Sequence, residues 1–199
     1  MSIASQTPRD TIRTMDKGRL IRVLPGDYYV TGDPSATIVT VLGSCVAACI
    51  RNPATGFGGL NHFMLPESET EEWNGASAAL RYGNFAMEAL INAVLKSGCS
   101  RAELEVKLFG GAAMHGRSSD VGRKNGAFAR SYLEAENIRV QAADLGGDHG
   151  RRIEYRPATG KVQRLMLRDR DLASLASEET KYRSSLTRKP VSGNIDLFD

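Results

Sequence analysis

Apolar positions recur along this chain with two periods, near two residues in some stretches and between three and four in others, and the period separates strands from helices. Glu103 to Phe109 alternates cleanly, with Leu104, Val106 and Leu108 on one side and Glu103, Glu105 and Lys107 on the other, which predicts a half-buried strand. Leu20 to Leu24, Tyr28 to Thr31, Thr37 to Leu42, Val46 to Arg51, Phe57 to Leu65 and Ile138 to Ala143 read as further strands. Arg152 to Arg156 and Lys161 to Arg168, joined by Pro157-Ala158-Thr159-Gly160, form a last hairpin. Ala76 to Ser97 carries the helical period, with Tyr82, Ala86, Ala89, Leu90, Ala93 and Val94 on one face and Gly98 placed as its cap. A second helix is predicted from about Lys124 to Glu136, with Phe128, Tyr132 and Leu133 inward. Met1 to Gly18 is unpatterned and reads as an N-terminal arm, and Pro66 to Gly75, which holds Trp73, reads as a surface loop.

The boundaries that follow are an arm over 1–18, one domain over 19–168, and a polar C-terminal tail over 169–199. The tail has room for one amphipathic helix through Leu172, Leu175, Tyr182 and Leu186, and a terminal apolar cluster at Ile195, Leu197 and Phe198. Strands and two main helices around one core make an α+β domain.

Composition narrows the functions open to such a domain. Apolar residues make up 41% and charged residues 25% of the 199, as in ordinary globular proteins. A net charge of +3 is too small to imply a nucleic-acid partner. Arg151 to Lys189 holds eleven basic against five acidic residues, but dispersed over strands and a tail without an interleaved set of stacking aromatics, so a solvated face is expected there. No apolar run approaches the ~18 residues of a membrane span, and the N-terminus lacks a signal-peptide core. Three cysteines (Cys45, Cys49, Cys99) do not make a disulfide framework, so the expected compartment is the reducing cytoplasm.

Candidate chemistry concentrates between Thr40 and Pro66. If Val46–Arg51 and Phe57–Leu65 pair as a hairpin that sets Arg51 opposite Gly56, then Ile50 faces Phe57, Cys49 faces Gly58 and Cys45 faces His62. Opposed residues have Cβ atoms roughly 4.5–5.5 Å apart, near enough for a thiol and an imidazole to share a proton. A free cysteine, with a pKa of about 8.5, needs such a neighbour to become a nucleophile. A third group usually orients the histidine, and Thr40, Thr37, Asn61 or a main-chain carbonyl could serve. Main-chain N–H groups around Gly43, Ser44 and Cys45 are candidates for holding an oxyanion, which completes the parts of an acyl-transfer site.

Plainer readings compete. A cysteine in an apolar strand is commonly a buried hydrophobe. Cys45, Cys49 and His62 supply three ligands of ill-defined geometry, a poor zinc signature, so no metal is expected. His115 and His149 lie in Gly-rich loops and read as exposed. Gly110-Gly111 and Gly146-Gly147 lack the strand and helix context of a nucleotide fingerprint, so they read as tight turns and no cofactor is expected.

Four motifs, Leu42-Gly43-Ser44-Cys45-Val46, Gly59 to Pro66 with Asn61 and His62, Lys107 to Ala112 and Asp144 to Arg151, together resemble the bacterial chemoreceptor glutamine deamidases, the CheD family. The resemblance runs from about Val23 to Leu167. It implies a β-sheet core with helices outside, similar to the catalytic domains of glutamine-deamidating toxins. It implies Cys45 as nucleophile, His62 as general acid and base, and Thr40, five residues before the cysteine, as the group that orients the histidine. The implied substrates are glutamines on the cytoplasmic helices of methyl-accepting chemotaxis receptors, and a CheC-type phosphatase is an implied partner. The rival classes are a non-catalytic adaptor binding receptors or that phosphatase, a thiol protease or transglutaminase using the same pair, and a nucleic-acid binder.

Overall fold

The computed structural model describes residues 12–15, 18–65, 78–113 and 119–188. In chain order the strands are β1 (Ile12–Met15), β2 (Gly18–Arg22), β3 (Tyr28–Thr31), β4 (Thr37–Leu42), β5 (Val46–Arg51), β6 (Gly58–Asn61), β7 (Glu105–Gly110), β8 (Val140–Leu145), β9 (Arg151–Arg156) and β10 (Lys161–Met166). The helices are α1 (Ala78–Leu95), α2 (Ser119–Ala135) and α3 (Asp169–Arg188). Trp73, His115 and the terminal Ile195-Leu197-Phe198 cluster fall outside the described residues.

The strands form two five-stranded mixed sheets, one ordered β1-β2-β4-β9-β10 and the other β3-β6-β5-β7-β8. β5 explains the layering. Its Val46, Ala48 and Ile50 join Met87, Leu90, Ile91 and Val94 of α1 and Ala129 and Leu133 of α2 in one apolar cluster. The alternate residues Ala47 and Cys49, with Cys45 just before the strand, join Ile38, Leu42, Ile153 and Tyr155 of the other sheet in a second cluster. Because side chains alternate across a strand, β5 is apolar at every position from Val46 to Ile50 so as to serve both layers. The order is sheet, sheet, helices, and the architecture is the expected α+β single domain.

Three differences from the sequence expectations have local causes. A strand, β1, lies within the stretch read as an arm and pairs antiparallel with β2. The apolar face of α1 is rotated, with Met87 and Ile91 buried and Ala89 and Ala93 only at its margin, because alanines made its helical stripe ambiguous. The β5–β6 hairpin pairs Arg51 with Gly58 and Cys49 with Leu60, two residues off the expected register. Gly56 is left-handed at φ +71° and belongs to the turn, and Asn52 N–H donates to the Phe57 carbonyl across it (2.8 Å). A slip of two preserves which side chains share a face, as a slip of one would not.

Candidate functional site

The chain leaves one sheet at the end of β4 and enters the other at β5 through Gly43, Ser44 and Cys45, and the chemistry-bearing groups gather at that crossover. Each carbonyl of the crossover is held from the same side. Ala112 N–H donates to the Gly43 carbonyl (2.8 Å), the Asn125 amide donates to the Ser44 carbonyl (2.8 Å), and Gly111 N–H donates to the Cys45 carbonyl (2.7 Å). With the carbonyls tied on one side, the three N–H groups turn to the other and converge on one point, an anion-binding nest. Gly110 makes the approach possible. It adopts φ +109°, and a Cβ there would stand 2.2 Å from the Cys45 carbonyl oxygen.

This bracing continues outward. Gly146 N–H donates to the Gly110 carbonyl (2.9 Å) and Ala113 N–H to the Gly147 carbonyl (2.7 Å). The buried Arg151 guanidinium in turn donates to the main-chain carbonyls of Asp144 (2.7 Å) and Gly146 and pairs with the Asp144 carboxylate. The Gly-Gly pairs are not the tight turns expected: Gly110 is the last residue of β7 and Gly147 lies in a bend, and both pairs clamp the crossover.

The crossover ends on Cys45. Val46 and Phe63 exchange both N–H···O bonds (2.9 Å each), which sets Cys45 opposite Met64 and His62 opposite Ala47. His62 is therefore diagonal to Cys45 rather than directly across, on the same face of the sheet. Diagonal neighbours have Cα atoms about 7–8 Å apart, within reach of a long side chain.

Thr40, from the other sheet, meets His62 edge-on. Its hydroxyl donates to the Val23 carbonyl (2.9 Å), so its lone pair faces His62 Nδ1 at 2.7 Å and Nδ1 carries the ring proton. Nε2 then presents its lone pair, and it is buried with no hydrogen-bond partner among the described residues. Asn61, another candidate for orienting His62, has a different task. It accepts from Ala48 N–H (2.8 Å) and donates to the Ala86 carbonyl (2.9 Å), locking β5 to α1.

Two residues that the sequence reading passed over belong to the site. Asn125, fully buried in α2, holds the Ser44 carbonyl and also accepts from Leu65 N–H (2.9 Å). Glu179, on α3, places its carboxylate in the nest. Its Oε1 accepts from Gly43 N–H (2.9 Å) and Cys45 N–H (3.2 Å), and its Oε2 from Ser44 N–H (3.0 Å) and the Ser44 hydroxyl (2.6 Å). Gly43 permits this, since a Cβ there would stand 2.9 Å from both carboxylate oxygens. A lone glutamate in a polar helix looks like any solvated charge in sequence. Its one local signal is the spacing from Leu175 and Tyr182, four residues before and three after, on one helix face.

Electrostatics follow from burial. Cys45 has 0% of its surface exposed and His62 2%. Burial pushes the Cys45 thiol well above its usual range, and the neighbouring Glu179 carboxylate adds to the shift. Burial lowers the His62 imidazole to about 4, with Glu179 pulling the other way. Both groups are therefore neutral in this arrangement. Among the described residues no three His, Cys, Asp or Glu side chains gather as a metal site, and no helix is long and apolar enough to cross a membrane.

The family model described as CheD chemotactic sensory transduction matches residues 64–165, beginning just after His62. Relatives extend the likeness over the crossover as well. A Rhodopseudomonas palustris protein named "Probable chemoreceptor glutamine deamidase CheD" is 41% identical over 98% of this chain and 93% of its own. Proteins of the same name from Thiobacillus denitrificans (48% identical, 89% of this chain, 88% of its own) and Rhizobium meliloti (49%, 78% and 85%) are similar. Neisseria meningitidis protein NMB0706 superposes with a TM-score of 0.36 at 13% identity, over 61% of this chain and 52% of its own, too distant to argue from.

Proposed function

This chain belongs to the CheD family of chemoreceptor glutamine deamidases, and from that premise we propose that Cys45, His62 and Thr40 convert receptor glutamine to glutamate by hydrolysis through a thioester. The Cys45 thiol passes its proton to His62 Nε2 as Sγ attacks the side-chain amide carbon. The carbonyl oxygen becomes an oxyanion held by the N–H groups of the crossover, chiefly Gly43 and Cys45, with Ser44 beside them. His62 returns the proton to the amide nitrogen, the C–N bond breaks and ammonia leaves. Water then attacks the thioester, His62 again taking its proton, and glutamate and the free thiol result. Thr40 holds Nδ1 so that Nε2 keeps its lone pair toward the reaction.

The observation that supports this reading is the convergence of three main-chain N–H groups, that of Cys45 among them, on one carboxylate-sized seat, which suits an amide whose oxygen gains charge as its carbon is attacked. The substrates are the cytoplasmic helices of chemotaxis receptors, and a CheC-type phosphatase is a further partner that the family likeness supports. The complete burial of the thiol is the one observation that favours a non-catalytic adaptor instead. Ammonia release from a glutamine-bearing receptor fragment separates the two: wild type is expected to release it, while Cys45→Ala and His62→Ala lose it and retain receptor binding. Ammonia release by Cys45→Ala would overturn the mechanism.

A further inference from the structure

The nest beside Cys45 is occupied by the chain's own Glu179. We propose that α3 is a resident product mimic, which lays a glutamate side chain where the reaction would leave one and keeps the site closed until a receptor helix displaces it. The proposal rests on the deamidase reading, and it adds a regulatory element to it.

The chemistry of the contact is specific to the product. Glutamate is what deamidation makes of glutamine. Glu179 enters on a helix and is 5% exposed, so it is a buried carboxylate that needs full compensation. Its two oxygens take four bonds, two from each side of the nest. A glutamine in the same place would offer one oxygen, which suits Gly43 and Cys45, and an NH2 group that faces Ser44 N–H donor to donor. The seat therefore holds the product's carboxylate more firmly than the substrate's amide.

Two consequences make the contact inhibitory. The N–H groups that would receive the substrate's oxygen are already taken. The thiol beside an anion is also held in its protonated, unreactive form.

The rest of α3 is built to be removable. Of its described side chains, Leu175 and Glu179 are buried, Ala176, Tyr182, Arg183 and Leu186 are half-buried, and Ser174, Ser177, Glu178, Thr180 and Lys181 face outward. Leu175 packs with Ala112, Val41 and Leu167, and the Tyr182 hydroxyl meets that of Tyr82 on α1. Among the described side chains of α3 only Leu175 and Glu179 are fully buried, which makes a narrow attachment. A receptor helix that presents a glutamine from a similar stripe would compete for the same seat.

Two variants in the full chain test this, Glu179→Ala, which empties the nest, and Leu175→Ala, which loosens α3 without touching it. Both should raise the rate at which iodoacetamide alkylates Cys45, and both should raise ammonia release from a subsaturating receptor helix, each about tenfold if the docked form holds nine molecules in ten. Near-UV circular dichroism and the denaturation midpoint confirm that the core is intact. If both variants keep the core yet release ammonia more slowly than wild type, α3 is part of the working site and the proposal is wrong. A Glu179→Gln variant gives an independent reading by mass spectrometry. With Cys45 present, residue 179 should be recovered as glutamate; with Cys45→Ser, as glutamine. Glutamine persisting at 179 in a protein that deamidates receptor would overturn the product-mimic placement alone. Persistence together with no ammonia from receptor would overturn the deamidase reading as well.

Discussion

Replacing Thr40 by valine removes one hydroxyl, keeps the volume, and strikes the group proposed to orient the histidine. Two buried hydrogen bonds vanish with it, the 2.9 Å bond to the Val23 carbonyl and the 2.7 Å bond with His62 Nδ1. Both former partners stay buried, since Thr40 is 1% exposed and His62 2%. Leaving a buried polar group unpaired costs about 1–3 kcal/mol, so the two together should lower unfolding free energy by roughly 2–6 kcal/mol. The loss of activity should be greater than stability alone explains. Once Nδ1 has no fixed acceptor, the imidazole can rotate or carry its proton on Nε2, and in either state it cannot take the thiol's proton. General-base catalysis contributes about 10²–10⁴-fold, so kcat should fall by at least about a hundredfold, roughly 3 kcal/mol in the barrier. Ammonia release with saturating receptor helix measures this, urea denaturation measures stability, and NMR of the ring nitrogens reports the tautomer. Thr40→Ser, which keeps the hydroxyl, should recover most of the activity. If Thr40→Val retains kcat within about threefold of wild type while folded, Thr40 does not orient His62 for the reaction.

The buried imidazole also makes stability depend on pH. His62 titrates at 6.5 when unfolded and near 4 in the folded state because burial disfavours its charge, so the unfolded chain binds the extra proton between those values. The stabilisation is whole above about pH 6.5, declines as pH falls toward 4, and amounts to about 3 kcal/mol at most; His62→Gln should flatten that part of the pH–stability curve, and an unchanged slope would contradict it. Asn125→Ala removes bonds to the Ser44 carbonyl and Leu65 N–H. It should cost about 2 kcal/mol in unfolding free energy and lower kcat more than it raises KM, because the crossover loosens; a change in KM alone would count against that role. Gly110→Ala should be the most damaging small substitution near the site. Its new methyl would sit 2.2 Å from the Cys45 carbonyl at φ +109°, for a loss of about 3 kcal/mol or more in denaturation experiments. A folded Gly110→Ala protein of normal midpoint would show that the crossover is not braced there.

Strands were legible in the sequence wherever one side chain in two was apolar, as in β7, and wherever the run was short, β-branched and bounded by glycine, as in β4. The shared face of Cys45 and His62 was legible too, because it depends only on odd or even separation. Their register was not, because it turned on whether Gly56 belongs to a strand or a turn, and only its left-handed backbone decides that. Asn125 and Glu179 were invisible for a different reason. Each acts across a long loop of sequence, from 81 and about 135 residues away, and nothing in the local pattern of a helix says which loop it will face. The residue pattern alone left Thr40 level with Thr37 and Asn61, and only the family resemblance pointed to Thr40, whose hydroxyl the fold sets 2.7 Å from His62 Nδ1.

Thr40 lies in one sheet and His62 follows the last strand residue of a hairpin in the other, while Cys45 ends the link between them. The contact between threonine and imidazole is thus a gauge of how the two layers are seated, and no half of the sandwich contains enough of the site to work by itself. Partial opening of either sheet should silence the enzyme before its secondary structure is lost. Catalytic competence in this fold is a property of the assembled sandwich.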